Sequence, residues 1–123
     1  MYTPENIQEL EPNQIFVFGS NLSGIHAGGA AKIAEEKFGA MEGVSEGMMG
    51  DCYAFPTLDR EMKKLSKECL KASVIDLFAI CRALPEKEFL LTKVGCGIAG
   101  FNESYMIDLF KDSPPNLIKP ENW

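Results

Sequence analysis

Residues 14–34 read QIFVFGSNLSGIHAGGAAKIA, and this stretch decides the fold class. Ile15, Phe16, Val17 and Phe18 form an apolar run without alternation, as in a strand covered on both faces of a parallel sheet. The run stops at Gly19-Ser20-Asn21 and passes through a loop carrying the single histidine, His26. At Gly28-Gly29 a small-residue helix opens and runs to about Phe38, where Gly39 ends it. Strand, glycine-bearing loop and helix in that order place backbone N–H groups and a helix N-terminus where an anion can meet them.

Outward from this unit the pattern repeats. Residues 1–13 hold two prolines and several acids and read as an irregular lead-in. Residues 40–51, AMEGVSEGMMGD, carry three glycines and no periodicity, so a loop is expected there. Cys52 to Phe55 reads as a second strand closed by Pro56-Thr57, followed by a charged connector, Leu58 to Leu65. Ser66 is placed to cap a long helix in which Leu70, Val74, Leu77, Phe78, Cys81 and Leu84 share one face, and Pro85 stops it. Glu88 to Val94 is a third strand, leading into Gly95-Cys96-Gly97-Ile98-Ala99-Gly100-Phe101. A short helix from about Glu103 to Phe110 and a last strand over Asn116 to Lys119 complete the chain. Strands alternating with helices predict an α/β fold with a mostly parallel sheet and helices on its faces.

At 123 residues the chain forms one domain, 1–123, with room for a single core. A formal net charge of −6 argues against nucleic acid as a partner, because a phosphate-backbone footprint needs clustered Lys and Arg. No apolar run is long enough to span a membrane, and the acidic start does not resemble a signal peptide. Four cysteines with no C-x-x-C pair and one histidine do not fit the usual zinc spacings. Reduced cysteines in a cytoplasmic protein, with no metal and no cofactor, are the expectation. Nothing in the residues fixes an oligomeric state.

Two of the three clear strands end in glycine-bearing loops. In open α/β sheets ligands bind beyond the carboxyl ends of the strands, so both loops are expected on one edge, with backbone free to approach a diphosphate. The alternative is that the glycines only make tight turns. Gly19, Ser20, Asn21, Gly28 and Gly29 come from the first loop as candidate ligand-binding residues. Gly95, Cys96, Gly97, Ile98, Ala99, Gly100 and Phe101 come from the second. The Asn21 amide can serve a ribose hydroxyl or a base, or it can shape the loop as an Asx-turn. His26, ahead of a helix N-terminus, is a hydrogen-bonding candidate more than a cation. Cys96 is either an activated thiol or a small residue that fits its turn. Phe55 and Phe101 are candidates to stack on a base, or core residues. Met48-Met49 can line an adaptable pocket or pack beneath the loop.

The order GSN, HAGGAAKIA, AFPT, KVGCGIAGF resembles the macro domain, which binds ADP-ribose. In that resemblance Ile15 to Asn21 corresponds to a strand and its asparagine. Gly28-Gly29-Ala30-Ala31 corresponds to the loop-to-helix junction, and Gly97 to Phe101 to the loop that wraps the diphosphate. It implies a three-layer α/β/α fold and a small-molecule, nucleotide-type ligand. The acidic residue that reads adenine in macro domains has no match here, Ser20 stands where a small apolar residue is usual, and only thirteen residues precede the first strand. The strings FVFGSNLSGIHAGGAAKIAEEKFGA and VGCGIAGF also resemble a small family of bacterial and bacteriophage proteins, a resemblance that brings no activity with it. The expected function is binding of ADP-ribose or a related nucleotide-derived molecule between the two loops. Two alternatives stand beside it. One is a hydrolase of ADP-ribosyl or cyclic-nucleotide phosphoesters, with His26, Cys96, Asp51, Asp59 and Glu103 as the few candidate groups. The other is a structural or interaction protein, phage-derived in one version.

Overall fold

The apolar run at 15–18 becomes the middle of β1 (Gln14–Asn21), the central strand of a five-stranded sheet in the computed structural model, which describes residues 1–123. The other elements are α1 (Gly29–Lys37), β2 (Gly47–Met49), β3 (Cys52–Leu58), α2 (Lys67–Ala83), β4 (Glu88–Leu91), α3 (Glu103–Leu109) and β5 (Leu117–Ile118). The sheet order is β2-β3-β1-β4-β5. β3 and β4 flank β1 in parallel, β5 runs parallel to β4, and β2 runs antiparallel to β3.

The sheet is therefore mixed, which corrects the expectation of a mostly parallel one. β2 comes from the stretch read as loop. Three residues are too few for a period to show, and a two-residue turn at Gly50-Asp51 folds them back onto β3 as a hairpin. β3 also outruns its expected end and passes through Pro56 to Leu58. β2 pairs only with Cys52 to Ala54, and the next bridge on that side is Leu58 to Lys64, so at Pro56 between them a proline without an N–H loses no ladder bond. β4, in contrast, stops early. The Thr92 N–H and hydroxyl both donate to the Val17 carbonyl, at 3.1 and 2.8 Å, and the chain then turns away.

Alternate residues of β1 enter two separate cores. Ile15 and Val17 meet Leu70, Val74 and Leu77 of α2 and Met106 of α3. Phe16 and Phe18 meet Ala31 and Ala34 of α1, with Phe38 just beyond it. With both faces covered, every residue from Ile15 to Phe18 is buried, which is why the run shows no alternation. Each such side chain contributes about 1.5–3 kcal/mol. Ser66 caps α2 by accepting from the Cys69 N–H at 3.2 Å, a bond of a kind that contributes about 1 kcal/mol. At the other end of α2, the Asn116 side-chain amide donates towards the carbonyls of Cys81, Leu84 and Lys87 at 2.8–3.1 Å, fastening the helix end to the approach to β5. No helix is long and apolar enough to cross a membrane.

Candidate functional site

Because β1 and β4 are parallel neighbours, their carboxyl ends share one edge of the sheet. The loops that follow lie side by side: a Cβ added at Gly19 would come within 3.6 Å of the Gly95 nitrogen. A cleft of about 540 Å³ opens over this edge. One wall is Gly19 to Asn21 with Gly28 to Ala31 at the start of α1, and the other is Thr92 to Gly95 with Gly97 to Ala99. Thr57, Leu58 and Met62 close one end. Its volume falls in the range of ordinary small-molecule sites.

In the first loop the side chains are committed to holding the loop. Asn21 donates from Nδ2 to the Ile25 carbonyl at 2.9 Å and accepts from the Ile25 N–H at 3.2 Å, the Asx-type clamp. An amide offers two N–H donors and two acceptor lone pairs, so one of each remains on a residue that lines the cleft. The Ser20 hydroxyl donates to the Ser45 carbonyl, and the Thr57 hydroxyl donates to the Ser20 carbonyl at 3.3 Å. Gly28, the N-cap of α1, supplies no side-chain acceptor, so the N–H groups of the first helical turn stay without a side-chain cap where the helix meets the cleft.

His26 does not join them. Its ring meets Phe18 edge-on at 5.3 Å, and Nε2 donates to the Met41 carbonyl at 3.0 Å. Nδ1 is buried without a partner. The ring has turned inward against the strand, an orientation that no sequence spacing records, and His26 does not line the cleft.

The second loop is built on backbone. Gly95 N–H lies opposite Gly19, and the Gly95 carbonyl accepts from the Phe101 N–H at 2.8 Å, while the Gly97 carbonyl accepts from the Gly100 N–H at 3.0 Å. Gly95 has φ +77°, and a Cβ there would sit 3.1 Å from the Phe101 ring and 3.2 Å from the Met106 methyl, so glycine is required on both counts. Gly97, Ile98 and Ala99 line the cleft, with the Ile98 side chain 83% exposed.

Six further candidates lie outside the cleft lining. Cys96 packs against the α2-side core, and burial first, then the Glu103 charge, pushes its thiol up, so it is a protonated small residue at neutral pH. Gly100 sits beside Lys64, and Phe101 stacks on Tyr105 at 6.2 Å with the Lys64 ammonium 5.2 Å from its ring centroid. Both expected contacts are corrected, because the chain turns back on itself after Ala99. Phe55 is fully buried 5.3 Å from Phe110 and has no face for a base. Met49 is likewise a core residue and Met48 is partly exposed on β2.

Several lining residues escaped the sequence reading. Thr57 and Leu58 needed the strand to continue past Pro56. Met62 sits at φ +63° in a turn made by Asp59, whose carboxylate accepts from the N–H groups of Glu61 and Lys63 at 2.8 and 2.9 Å. No pattern announces it. Thr92, Lys93 and Val94 read as the end of the third strand, but β4 stops at Leu91 and they lie in the turn that follows it. Lys93 matters most, since it is the only charged residue lining the cleft.

A cleft thus lies over the carboxyl ends of adjacent parallel strands, walled by two glycine-bearing loops, with one lysine as its only charged lining residue. No group of three His, Cys, Asp or Glu side chains is placed to hold a metal ion. The chain matches no protein-family description, no curated protein and no solved structure.

Proposed function

We propose that this protein binds ADP-ribose or a related nucleotide-derived molecule in the cleft between the two loops. The observation that carries the reading is the cleft's electrostatic make-up. In a protein of net charge −6, the one charged residue lining it is a lysine, on the wall opposite a helix start whose first-turn N–H groups lack a side-chain cap. Both features favour a phosphate. The reading extends to a three-layer, macro-domain-like arrangement, supported by the two cores that α1 and α2 make on opposite sides of β1. It also extends to a cytoplasmic protein whose partner is a small molecule and not nucleic acid.

Binding is favoured over hydrolysis by the same lining. A hydrolase needs a positioned base, and neither His26 nor Cys96 reaches the cleft. Asp59 holds its own turn, and Glu103 pairs with Lys93.

A thermal-shift screen with ADP-ribose, NAD, cyclic nucleotides and cyclic ADP-ribose isomers tests the reading. A ligand at about a hundred times its Kd adds roughly 2.7 kcal/mol, which moves the midpoint visibly. No shift with any of them contradicts it. Mass spectrometry of each hit after long incubation should recover the ligand unchanged, and turnover would restore the hydrolase.

A further inference from the structure

The stretch that joins β3 to α2 carries a charge opposite to that of the whole chain. Five of the twelve Lys and Arg residues, Arg60, Lys63, Lys64, Lys67 and Lys71, lie there, against two acids, Glu61 and Glu68. All seven are exposed. The Glu61 carboxylate is taken by Lys63 at 3.5 Å, whereas Lys64 and Lys67 have no carboxylate partner.

These two lysines are held against rings instead. The Lys64 ammonium lies 5.2 Å from the ring centroid of Phe101, and the Lys67 ammonium 5.8 Å from that of Tyr105. The two rings stack on each other at 6.2 Å. Glu103, two residues before Tyr105, is occupied by Lys93 at 3.2 Å and by the Trp123 indole N–H at 2.9 Å. A ring attracts an ammonium without neutralising it, so two full positive charges stand at fixed places. Holding the side chains in advance removes part of the ordering cost of binding. The patch adjoins the second loop: a Cβ at Gly100 would lie 3.9 Å from Cε of Lys64. Met62 and Ile98, each two residues from this contact, expose apolar side chains at the same rim.

We propose that this lysine-topped ring pair docks an acidic segment of another protein, one that carries apolar side chains between its carboxylates. Charge complementarity selects the partner, because a basic patch on a protein of net charge −6 attracts acids locally while the rest of the surface repels them. A single-stranded nucleic acid fits less well. Each ring has a lysine over it and the other ring beside it, which leaves no free face for a base. The surface is independent of what the cleft holds, since Lys64, Lys67, Phe101 and Tyr105 do not line it.

Fluorescence anisotropy of the full chain with short labelled probes tests it. One peptide alternates glutamate with leucine, its counterpart alternates lysine with leucine, and an oligouridylate of similar length is the third probe. The acidic peptide should bind the wild type at least about tenfold more tightly than either of the others, and more weakly as salt rises. Lys64→Glu with Lys67→Glu should lose about tenfold or more. Lys32→Glu with Lys37→Glu makes the same change of charge on α1, across the sheet, and should lose less than about twofold. Lys64→Gln with Lys67→Gln, which removes the charges without reversing them, should fall between. Equal losses in the two Glu pairs would reduce the effect to net charge and overturn the docking surface. No binding of the acidic peptide would overturn it, as would tighter binding of the oligouridylate. Self-association of the wild type that Lys64→Glu with Lys67→Glu abolishes would put a second copy there and overturn it too.

Discussion

Between Asn21 and Gly28 the chain is shaped by side chains, whereas between Lys93 and Phe101 backbone hydrogen bonds alone close the turn. Asn21 clamps Ile25, Ser20 reaches Ser45 and His26 reaches Met41. On the other side Lys93, Gly95 and Gly97 offer their carbonyls to the N–H groups of Cys96, Phe101 and Gly100. One loop spends its polar side chains on itself and borders the cleft as a fixed frame. The other has few side chains to spend, and presents Gly97, an exposed Ile98 and Ala99 as its wall.

The contrast breaks most sharply at Gly97. A Cβ there meets nothing within 4 Å, so Gly97→Trp should fold as the wild type does while its indole fills the cleft. We expect at least about a hundredfold loss of ADP-ribose affinity by calorimetry with an unchanged melting midpoint. Undiminished binding would remove the second loop from the site.

A pair of substitutions separates frame from wall by stability. Gly95→Ala forces a side chain into a left-handed backbone conformation and against Phe101 and Met106, and should cost about 1–3 kcal/mol in denaturant unfolding. Asn21→Ala breaks both bonds to Ile25, and should cost about 1–2 kcal/mol together with a few-fold to tenfold weaker binding. If Asn21→Ala weakens binding with no loss of stability, the asparagine is a ligand contact and not a clamp.

A further effect, confined to alkaline pH, comes from the cores, away from either loop. Burial pushes the thiols of Cys52 and Cys81 up to about 12 from 9.0, and burial likewise raises the Tyr53 phenol. Each is an acid with a folded pKa above its unfolded value, so the native state keeps protons that the unfolded chain releases. Stability is full below about pH 9 and falls progressively as pH rises towards 12. Denaturant midpoints should be level from pH 7 to 9 and then decline. Serine at both positions should soften the alkaline decline at some cost in packing.

How far the residues alone reach follows the same division. The buried run of β1 and the capped and proline-stopped α2 are set by local pattern and appear close to where expected, whereas β1 runs on through Gly19 to Asn21 and β4 stops three residues short of Val94. β2 was hidden, because three residues among glycines and methionines acquire strand geometry only by pairing with Cys52 to Ala54. In the site, backbone positions were readable from glycines and from parallel topology. Side-chain directions were not. His26 and Phe101 turn away from the cleft through contacts with Phe18 and Tyr105, and the Lys93 ammonium reaches Glu103 of α3.

The central claim is that both loops meet one ligand. Backbone amide chemical shifts recorded during titration with ADP-ribose test it most directly. The account predicts concerted shifts at Gly28 to Ala31 and at Gly95 to Ala99, saturating together with a single Kd. Shifts confined to one loop, or lying away from the sheet edge, would contradict it.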